Sequence, residues 1–475
     1  MKPKLNEDWL AVWLGLFLFV LSLATFLGVD ALGWAVTTSV WTNLRKALAP
    51  ASKSYALPGM VSLLLTYVFL LALTTIGARV LRLDLGRFVK GFTAVFFAAY
   101  LSWIVGSWAY IAVTPDKRAA FHIGWSLNLT NEAGYIVALI AGLLVGNFLP
   151  MLATWMKEAI RPELYIKTAI VILGGFLGVT AAEQMRLATS VMFSGLCAII
   201  VAYLIYWAAV YYVARRYFRF SREWSAPLAS GISICGVSAA IATGSAIRAR
   251  PVVPVMVSSL VVVFAVMELL LLPMMAQTFL FHEPMVAGAW MGLAVKTDGA
   301  AVTSGAVTDA LIRAKALAEY GIQYAPGWIM GVSTTVKVFI DVFIGIWAFV
   351  LAWIWAAKID PKRGEKVKAI EIWQRFPKFI LGYVATFAII LAVGLLSPGL
   401  VPKAKAAMAQ ANVFRAIFFA MTFFTIGVVS DFRKLWQEGI GKLALVYVLC
   451  LFGFIIWIGL AISWVFFHGL KPPVM

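Results

Sequence analysis

Long apolar runs recur along nearly the whole chain, and they restrict its fold class more than any other feature. A helix needs about 20 consecutive apolar residues to cross a bilayer core, and the sequence predicts about thirteen such segments. Hydrophobic residues make up 63% of the 475 residues, which is more than a soluble domain of this length can hide. The chain is therefore predicted to be an all-α polytopic membrane protein, with the lipid bilayer as its first partner.

The predicted membrane segments comprise three leading helices followed by ten more. Their expected bounds are Trp9–Leu27, Gly59–Ala78, Thr93–Val113, Gly134–Leu152, Tyr165–Ala181, Val191–Val213, Ala229–Ala246, Pro251–Met275, Val286–Val307, Trp328–Ala356, Phe379–Leu396, Val413–Ser430 and Leu443–Phe467.

The last ten segments show weak internal similarity. Ile234–Ser238 in the fourth of them resembles Thr425–Ser430 in the ninth, and two further pairs match in the same order. We therefore predict two five-helix repeats, at 134–275 and 286–467, after an N-terminal three-helix region at 1–133 that serves as scaffold or oligomerisation surface. Five is odd, so the second repeat must be inverted. The alternative is chance resemblance between glycine-rich apolar helices.

The charges of the chain lie mostly in short connections between apolar runs. The net charge is +18, but nucleic-acid binders cluster Lys and Arg on a polar face, so no nucleic-acid partner is expected. Basic residues concentrate in 79–90, 215–222, 358–378 and 433–442. The positive-inside rule then places the N-terminus in the cytoplasm. We expect a multi-pass protein of the bacterial cytoplasmic (inner) membrane.

One segment, Ser230–Gly244, is small, hydroxylated and glycine-rich within this apolar chain. Glycines at 231, 236 and 244 make a regular helix soft. In a membrane, backbone unwinds only where protein or a water-filled cavity shields it. The segment is therefore interpreted as a broken helix lining a binding site. A tightly packed helix with small residues at a helix contact is the alternative.

Several charged residues are predicted to lie within the membrane, where each costs about 2.5–3.5 kcal/mol on insertion scales. Lys337 and Asp341 share one helix face, as a structural ion pair or as part of a transport cavity. Lys296 and Asp298 stand in a second polar interruption, Lys296–Gly305. Glu268 is either a protonatable coupling group or a neutral group hydrogen-bonded to a neighbouring helix.

A helix interruption supplies binding chemistry, because the N-terminus of a half-helix offers free N–H groups and a positive dipole end to an anion. Inverted repeats would bring Ile234–Ser238 and Thr425–Ser430 together as two crossed broken helices. The predicted substrate-binding residues are Ser233, Ile234, Cys235, Gly236, Ser238, Lys296, Thr297, Thr425, Gly427 and Ser430, and the predicted coupling or ion-pair residues are Asp298, Lys337, Asp341 and Glu268.

The run Gly231–Ala242 resembles the G-x-S-I-C-G-x-S-A signature of the YeiH-like family of sulfate exporters. Supporting likenesses are found in Lys167–Gly174, Gly288–Gly292, Val332–Phe343 and Phe424–Asp431. The resemblance implies a secondary transporter with inverted repeats and a mobile core, similar to bile-acid symporters and sodium–proton antiporters, with sulfate as the family's label. Where that family usually has a Ser-x-His-Asp element, this chain has Ala294-Val-Lys-Thr-Asp298.

These observations predict an elevator-type secondary active transporter of a small anion: sulfate, another oxyanion, a sulfonate or a carboxylate. The alternative is a sodium- or proton-coupled symporter or antiporter of another small solute or a cation. No intramembrane His and no HExxH motif is found in the sequence, so an enzyme is not expected. No cofactor is expected beyond a coupling Na⁺ or H⁺. A homodimer is among the expected partners.

Overall fold

A computed structural model describes residues 6–113, 117–127, 133–183, 185–250, 252–359, 377–430 and 441–475. Inside these ranges, the side chains of Ser238, Asp298 and a few other helical residues lie outside the description. The described chain is almost entirely helical, and one antiparallel pair of short strands lies in the connection after the first helix. The predicted all-α class is confirmed.

In chain order, the elements are α1 (Glu7–Ser22), a 3₁₀ turn (Leu23–Leu27), β1 (Val36–Thr38), β2 (Leu48–Pro50), α2 (Gly59–Val80), α3 (Leu85–Gly106), α4 (Ala109–Ala112), α5 (Ala133–Phe148), α6 (Pro150–Met156), α7 (Pro162–Glu183), α8 (Met185–Arg216), α9 (Arg222–Ser233), α10 (Gly236–Ala246), α11 (Val252–Phe279), α12 (Pro284–Ala294), α13 (Asp298–Tyr320), α14 (Trp328–Ile354), α15 (Phe379–Leu396), α16 (Val401–Val429), α17 (Gly441–Cys450), a π-helical turn (Leu451–Ile455) and α18 (Ile456–Phe467).

Among the described residues, ten helices are long and apolar enough to cross a membrane, or eleven if a helix pair bent by 110° counts as one span. That bent pair begins with α5, within the predicted segment Gly134–Leu152. The predicted segments Ala229–Ala246 and Val286–Val307 are the two remaining ones, and each is interrupted. The polar interruptions in the sequence therefore correspond to real breaks in helices.

One group of helices, the α7 bundle, consists of α1, α2, α3, α5, α7, α15 and α16. Its central helix α7 is buried along most of its length. The Lys167 ammonium of α7 pairs with the Asp8 carboxylate of α1 at 2.8 Å. A Cβ at Gly174 would lie 2.3 Å from the carbonyl oxygen of Tyr383, so α7 and α15 touch through their backbones. The first helix is thus packed into the body of the protein.

Helices α5 and α16 meet along a glycine seam. A Cβ at Gly142 would come within 2.0 Å of the Phe424 carbonyl oxygen, and one at Gly427 within 2.4 Å of the Leu139 carbonyl oxygen. Helix α16 runs without interruption through this contact to Val429. The expected break at Thr425–Ser430 was therefore wrong, because the small residues there serve close helix packing, as glycine does in membrane helix pairs.

The second group, the hairpin bundle, consists of α8 to α14 together with α17 and α18. It meets the α7 bundle along a narrow contact. A Cβ at Gly331 of α14 would lie 2.9 Å from Leu177 of α7, and one at Gly299 of α13 would lie 3.4 to 3.6 Å from side chains of α16 and α7. The two groups therefore touch through small residues next to the site described below.

Candidate functional site

Helices α9 and α10 form a helical hairpin, hairpin 1, rather than one crossing helix. The Thr243 hydroxyl lies 2.7 Å from the Ser230 hydroxyl, thirteen residues earlier. In a continuous helix that spacing would separate them by about 20 Å. Glu223 at the start of α9 pairs with Arg250 after α10 at 3.0 Å. Both arms therefore begin and end on the same side, and the chain turns at Ile234 and Cys235.

Helices α12 and α13 form a second hairpin, hairpin 2, on α14. Glycines 288 and 292 of α12 lie against the carbonyls of Ile329 and Ser333, so α12 runs parallel to α14. The Ser333 hydroxyl donates to the Ala301 carbonyl, and residue 309 of α13 contacts the backbone of residues 327 and 329. Helix α13 is thus antiparallel to α14. The turn of hairpin 2 lies at residues 295–297.

The tips of the two hairpins meet halfway along α11. A Cβ at Gly236 would lie 2.8 Å from the Lys296 carbonyl oxygen and 2.3 Å from Val261 of α11. Gly244, in the returning arm of hairpin 1, lies against Pro254 near one end of α11, whereas Lys315 of hairpin 2 donates to Gln277 near the other end. The hairpins therefore approach from opposite ends of α11. The expected pair of crossed broken helices is replaced by two opposed hairpins.

The tip of hairpin 1 requires glycine and receives a lysine from another helix. Gly236 has φ +29°, in the range that side chains rarely adopt, and the space for a Cβ is already filled. The Lys337 ammonium of α14 donates to the carbonyl of Ile234, at the C-terminal end of α9, at 3.0 Å. A cation at the C-terminus of a helix satisfies carbonyls that have no partner within the helix.

The tip of hairpin 2 repeats this arrangement with its own lysine. The Lys296 ammonium donates to the Leu293 carbonyl near the end of α12, and it lies 4.7 Å from the ring centroid of Tyr206 in α8. The Lys296 backbone N–H donates to Glu268 Oε2 of α11 at 2.9 Å. Thr297 caps α13 by accepting from the Ala300 N–H at 3.2 Å.

The lysines give the two tips a definite electrostatic character. Each ammonium neutralises the negative, C-terminal end of the first arm of a hairpin. The N-termini of α10 and α13 lie at the same tips, and the N-terminus of a helix carries partial positive charge. Lys296 and Lys337 are both fully buried. The tips of the hairpins therefore bring two buried ammonium groups and two helix N-termini together, next to the buried carboxyl groups of Glu268 and Asp341.

Several buried polar atoms at this centre have no hydrogen-bond partner among the described residues. They are Ser233 Oγ on hairpin 1, Glu268 Oε1 on α11, and the hydroxyls of Tyr206 and Tyr447. A buried polar group without a partner costs about 1–3 kcal/mol. Such atoms occur in both bundles, and those at the hairpin tips are available to hydrogen-bond a ligand or water.

Most of the predicted site residues lie at these tips. Ser233, Ile234, Cys235 and Gly236 form or flank the turn of hairpin 1, and Lys296 and Thr297 form that of hairpin 2, with Glu268 and Lys337 reaching the tips from α11 and α14. Asp341 is buried one helical turn beyond Lys337. The side chains of Ser238 and Asp298 lie outside the described residues. The binding and coupling roles of all these residues stay predictions.

The residues Thr425, Gly427 and Ser430 lie on α16 or at its C-terminal end, and α16 passes the start of α13. A Cβ at Gly299 there would lie 3.4 Å from Ile426 and 3.5 Å from Thr422. The Thr425 hydroxyl donates to the Met421 carbonyl within α16, Gly427 lies on the α5 seam, and the Ser430 carbonyl accepts from Asn147 of α5 at 2.9 Å. These three contacts are those of helix packing in the α7 bundle. The predicted binding roles of the three residues stay predictions.

Two residues of this region were missed in the sequence. Tyr206 lies beneath the Lys296 ammonium, but in the sequence it is one aromatic among many in an apolar helix. The Asp309 carboxylate accepts the backbone N–H groups of Gly327 and Ile329, both at 3.1 Å, and pairs with Arg313 at 2.7 Å. It thereby caps α14. An acidic residue one helix before a Pro-Gly turn was the available signal.

A cavity of about 570 Å³ lies between the two bundles, away from the tips. Phe176, Glu183 and Lys405 of the α7 bundle line one side. Trp328 and the last residues of the chain line the other. The cavity lies near the start of α14, at the level where the arms of hairpin 2 begin and end.

Together, the fold and the site define a polytopic helical membrane protein with a buried polar centre between two opposed hairpins. The profile of the family described as Conserved hypothetical protein 698 matches residues 90–446. The chain belongs to this family, that of the UPF0324 membrane proteins, and the resemblance to YeiH-like proteins is thereby confirmed.

The similar proteins include full-length and partial matches. A UPF0324 membrane protein of Nitrosomonas europaea is 42% identical over 475 residues, which covers 99% of this chain and 97% of that protein. An uncharacterized protein of Archaeoglobus fulgidus is 50% identical over 168 residues, 31% of this chain and 90% of its own. A UPF0324 membrane protein of Nitratidesulfovibrio vulgaris is 27% identical over 84% of this chain and 63% of its own. No solved structure matches.

Proposed function

We propose that this protein is a secondary active transporter that moves a small anion by elevator-type alternating access. One observation carries the proposal: two helical hairpins enter from opposite ends of α11, and their tips meet at a buried centre halfway along it. Such a centre is separated from either end of α11 by one hairpin. Transporters place their substrate sites where interrupted helices meet midway through the protein.

The chemistry of the tips favours an anion. Lys337 and Lys296 occupy the carbonyl ends of α9 and α12, so the N–H ends of α10 and α13 are the backbone groups left to bind an anion at the centre. Backbone N–H groups at helix N-termini bind sulfate, phosphate and carboxylate groups without a dedicated side chain. The hydroxyls of Ser233 and Thr297 add donors of the right size for one oxyanion.

The division into two bundles supports an elevator movement. The hairpins, α11 and α14 pack mainly with one another, whereas contact with the α7 bundle is restricted to a narrow strip. Small residues such as Gly299 and Gly331 lie on this strip, and small residues let packed helices slide. In this proposal the hairpin bundle carries the site past the α7 bundle, which stays fixed in the membrane.

Uptake by proteoliposomes tests the function. Purified protein is reconstituted and offered radiolabelled sulfate, methanesulfonate, bicarbonate and small carboxylates one at a time. We expect one of these anions to accumulate, and Lys296→Met to reduce its uptake by about tenfold or more, since an ionic hydrogen bond contributes about 1.5–3 kcal/mol. The matched control is Lys315→Met, at the base of the same hairpin, which should keep wild-type uptake.

Wild-type uptake by Lys296→Met would contradict the site, and absence of uptake of every anion would contradict the function. Buried Glu268 and Asp341 favour a second candidate, a sodium- or proton-coupled carrier of a cation or another small solute, with Asp298 as a third acidic group. Cation-driven flux of another solute without anion transport would support that candidate. Channel rates in a bilayer recording would exclude both.

The remaining expectations follow from this function. We propose a location in the bacterial inner membrane with a cytoplasmic N-terminus, no enzymatic activity, no cofactor apart from a coupling Na⁺ or H⁺, and a homodimer. The basic segments behind the orientation lie partly in 360–376 and 431–440, outside the described residues. The orientation is tested directly by placing a cysteine after Arg82 and measuring from which side of the membrane an impermeant thiol reagent modifies it.

A further inference from the structure

The carboxylate of Glu268 already occupies part of the proposed anion site. Its Oε2 accepts the Lys296 backbone N–H at 2.9 Å, immediately before the N-terminus of α13. Its Oε1 is buried and has no hydrogen-bond partner among the described residues. The side chain comes from α11, whereas both hairpin tips belong to other elements. A carboxylate thus lies where an anionic substrate would bind.

The charged neighbours of Glu268 explain how a buried carboxylate is held there. Among the described side chains, the charges that act on it are those of Lys296 on hairpin 2 and Lys337 on α14, and its own charge acts on the phenol of Tyr447 in α17. With Asp341, the described side chains of the buried centre include two acidic and two basic groups, and Asp298, whose side chain lies outside the description, is a further acid at the tip of hairpin 2. Acidic and basic groups that lie close together are the arrangement that low-dielectric surroundings tolerate.

A second anion cannot enter next to the Glu268 carboxylate without a compensating charge. Two carboxylate-like groups within a few ångströms repel each other strongly in low dielectric. Adding one proton to Glu268 removes that repulsion. It also frees the Lys296 N–H, because a neutral carboxylic acid is a weaker acceptor than a carboxylate. The proton thus adds one positive charge, which compensates one negative charge of the entering anion.

We propose that the Glu268 carboxylate is a resident anion of the hairpin site, and that the transported anion displaces it when Glu268 takes up one proton. This inference rests on the proposed function. The proton adds to a carboxylate oxygen of Glu268, and the hydrogen bond from the Lys296 N–H passes to an oxygen of the substrate. No covalent bond to the substrate forms. On release the proton leaves Glu268, the carboxylate returns to the Lys296 N–H, and one proton has moved with each anion.

The test measures proton and anion movement together in proteoliposomes. Methanesulfonate and sulfate are the probes, because they carry no proton themselves near neutral pH, unlike bicarbonate or acetate. A pH dye inside the vesicles reports protons, and potassium with valinomycin clamps the voltage. We expect anion uptake to acidify the interior, with one proton per anion. When the outside is about one pH unit more acidic than the interior, the gradient should sustain about a tenfold accumulation of the anion inside the vesicles.

The variant Glu268→Gln keeps the size of the side chain but is always neutral. We expect the proton-driven accumulation to fall from about tenfold to none, while exchange of labelled for unlabelled anion continues. A residue that only supports the fold would not separate these two readouts. Glu319→Gln, an exposed acid on the same helix as the hairpin 2 tip, is the control and should keep the wild-type coupling.

The outcomes separate this inference from the proposed function. Wild-type anion transport without proton movement, or Glu268→Gln with unchanged coupling, overturns the resident-anion mechanism and leaves the transporter standing. Absence of all anion transport overturns both. If Glu268→Gln does not yield a monodisperse protein, the proton-to-anion ratio of the wild type decides, since a ratio near zero contradicts the proposal without any variant.

Discussion

The two hairpins share one design but differ in how they are held. In hairpin 1, the arms join through the hydroxyls of Ser230 and Thr243, and the tip is held by Lys337 from α14. In hairpin 2, glycines bring α12 into backbone contact with α14, and Asp309 anchors α13 to the start of the same helix. Hairpin 2 is thus joined to α14 along both of its arms, whereas hairpin 1 contacts α14 through its second arm α10 and the Lys337 ammonium, and its other contacts are mainly with α8 and α11.

This difference suggests a division of labour. A hairpin fixed along one helix moves with that helix as a unit. A hairpin whose tip depends on a few polar contacts opens at lower cost, because stability is unevenly distributed and local opening follows the weakest contacts. We therefore expect hairpin 1 to be the more mobile gate. The following predictions test this comparison, and the largest expected effect comes first.

Removing the anchor of hairpin 2 should have the largest effect on stability. Asp309→Ala removes the carboxylate that accepts the N–H groups of Gly327 and Ile329 and pairs with Arg313, at a cost of about 3 kcal/mol. The thermal unfolding midpoint in detergent should fall well below that of Glu319→Ala, an exposed acid on the same helix. Equal unfolding midpoints for the two variants would show that Asp309 does not anchor hairpin 2.

Bringing the tips into collision should have an intermediate effect. Gly236→Ala places a methyl group 2.3 Å from Val261 and 2.8 Å from the Lys296 carbonyl, at a φ of +29°. Overpacking and backbone strain together cost about 2 kcal/mol. Anion uptake should be lost even where the protein is still folded. The control is Gly453→Ala, where a Cβ meets nothing within 4 Å. An equal loss of anion uptake in this variant would show that the effect of Gly236→Ala is not specific to the hairpin tips.

Breaking the base of hairpin 1 should have the smallest effect. The pair of Arg250 and Glu223 is largely exposed on the Arg250 side, and such pairs contribute about 0–1 kcal/mol. Arg250→Ala should therefore unfold within a degree or two of the wild type and respond little to salt. A drop comparable to that of Asp309→Ala would mean that hairpin 1 is held at its base, and the proposed difference in mobility would be lost.

The sequence was enough to place the interruptions but not to give their direction. The polarity of Ser230–Gly244 and Lys296–Gly305 marks both breaks, because such residues interrupt a membrane helix only at shielded places. A chain that turns back after a helix break and a chain that continues across the membrane have the same residue pattern. The lengths of the two arms distinguish these cases. Helices α9 and α10 have 12 and 11 residues, so each is about 17 Å long and too short to span about 30 Å.

The predicted helix break at Thr425–Ser430 was wrong for a related reason. Glycine and hydroxyl residues are required both where a helix breaks and where two helices touch, and only the neighbouring helix decides between them. That neighbour, α5, lies almost 300 residues away in sequence, as the bond from Asn147 to Ser430 shows. Tyr206 was missed because contact between an ammonium and an aromatic face leaves no spacing pattern in a sequence.

Cys235 gives the chain a built-in reporter. This thiol lies in the turn of hairpin 1 and is 2% exposed. The other two cysteines, Cys197 and Cys450, lie on α8 and at the end of α17. With those two replaced by serine, a membrane-impermeant maleimide can modify only the Cys235 sulfur. The rate of this modification then measures how often the tip of hairpin 1 opens. Reagent supplied from one face of a vesicle at a time then identifies the compartment to which the tip opens.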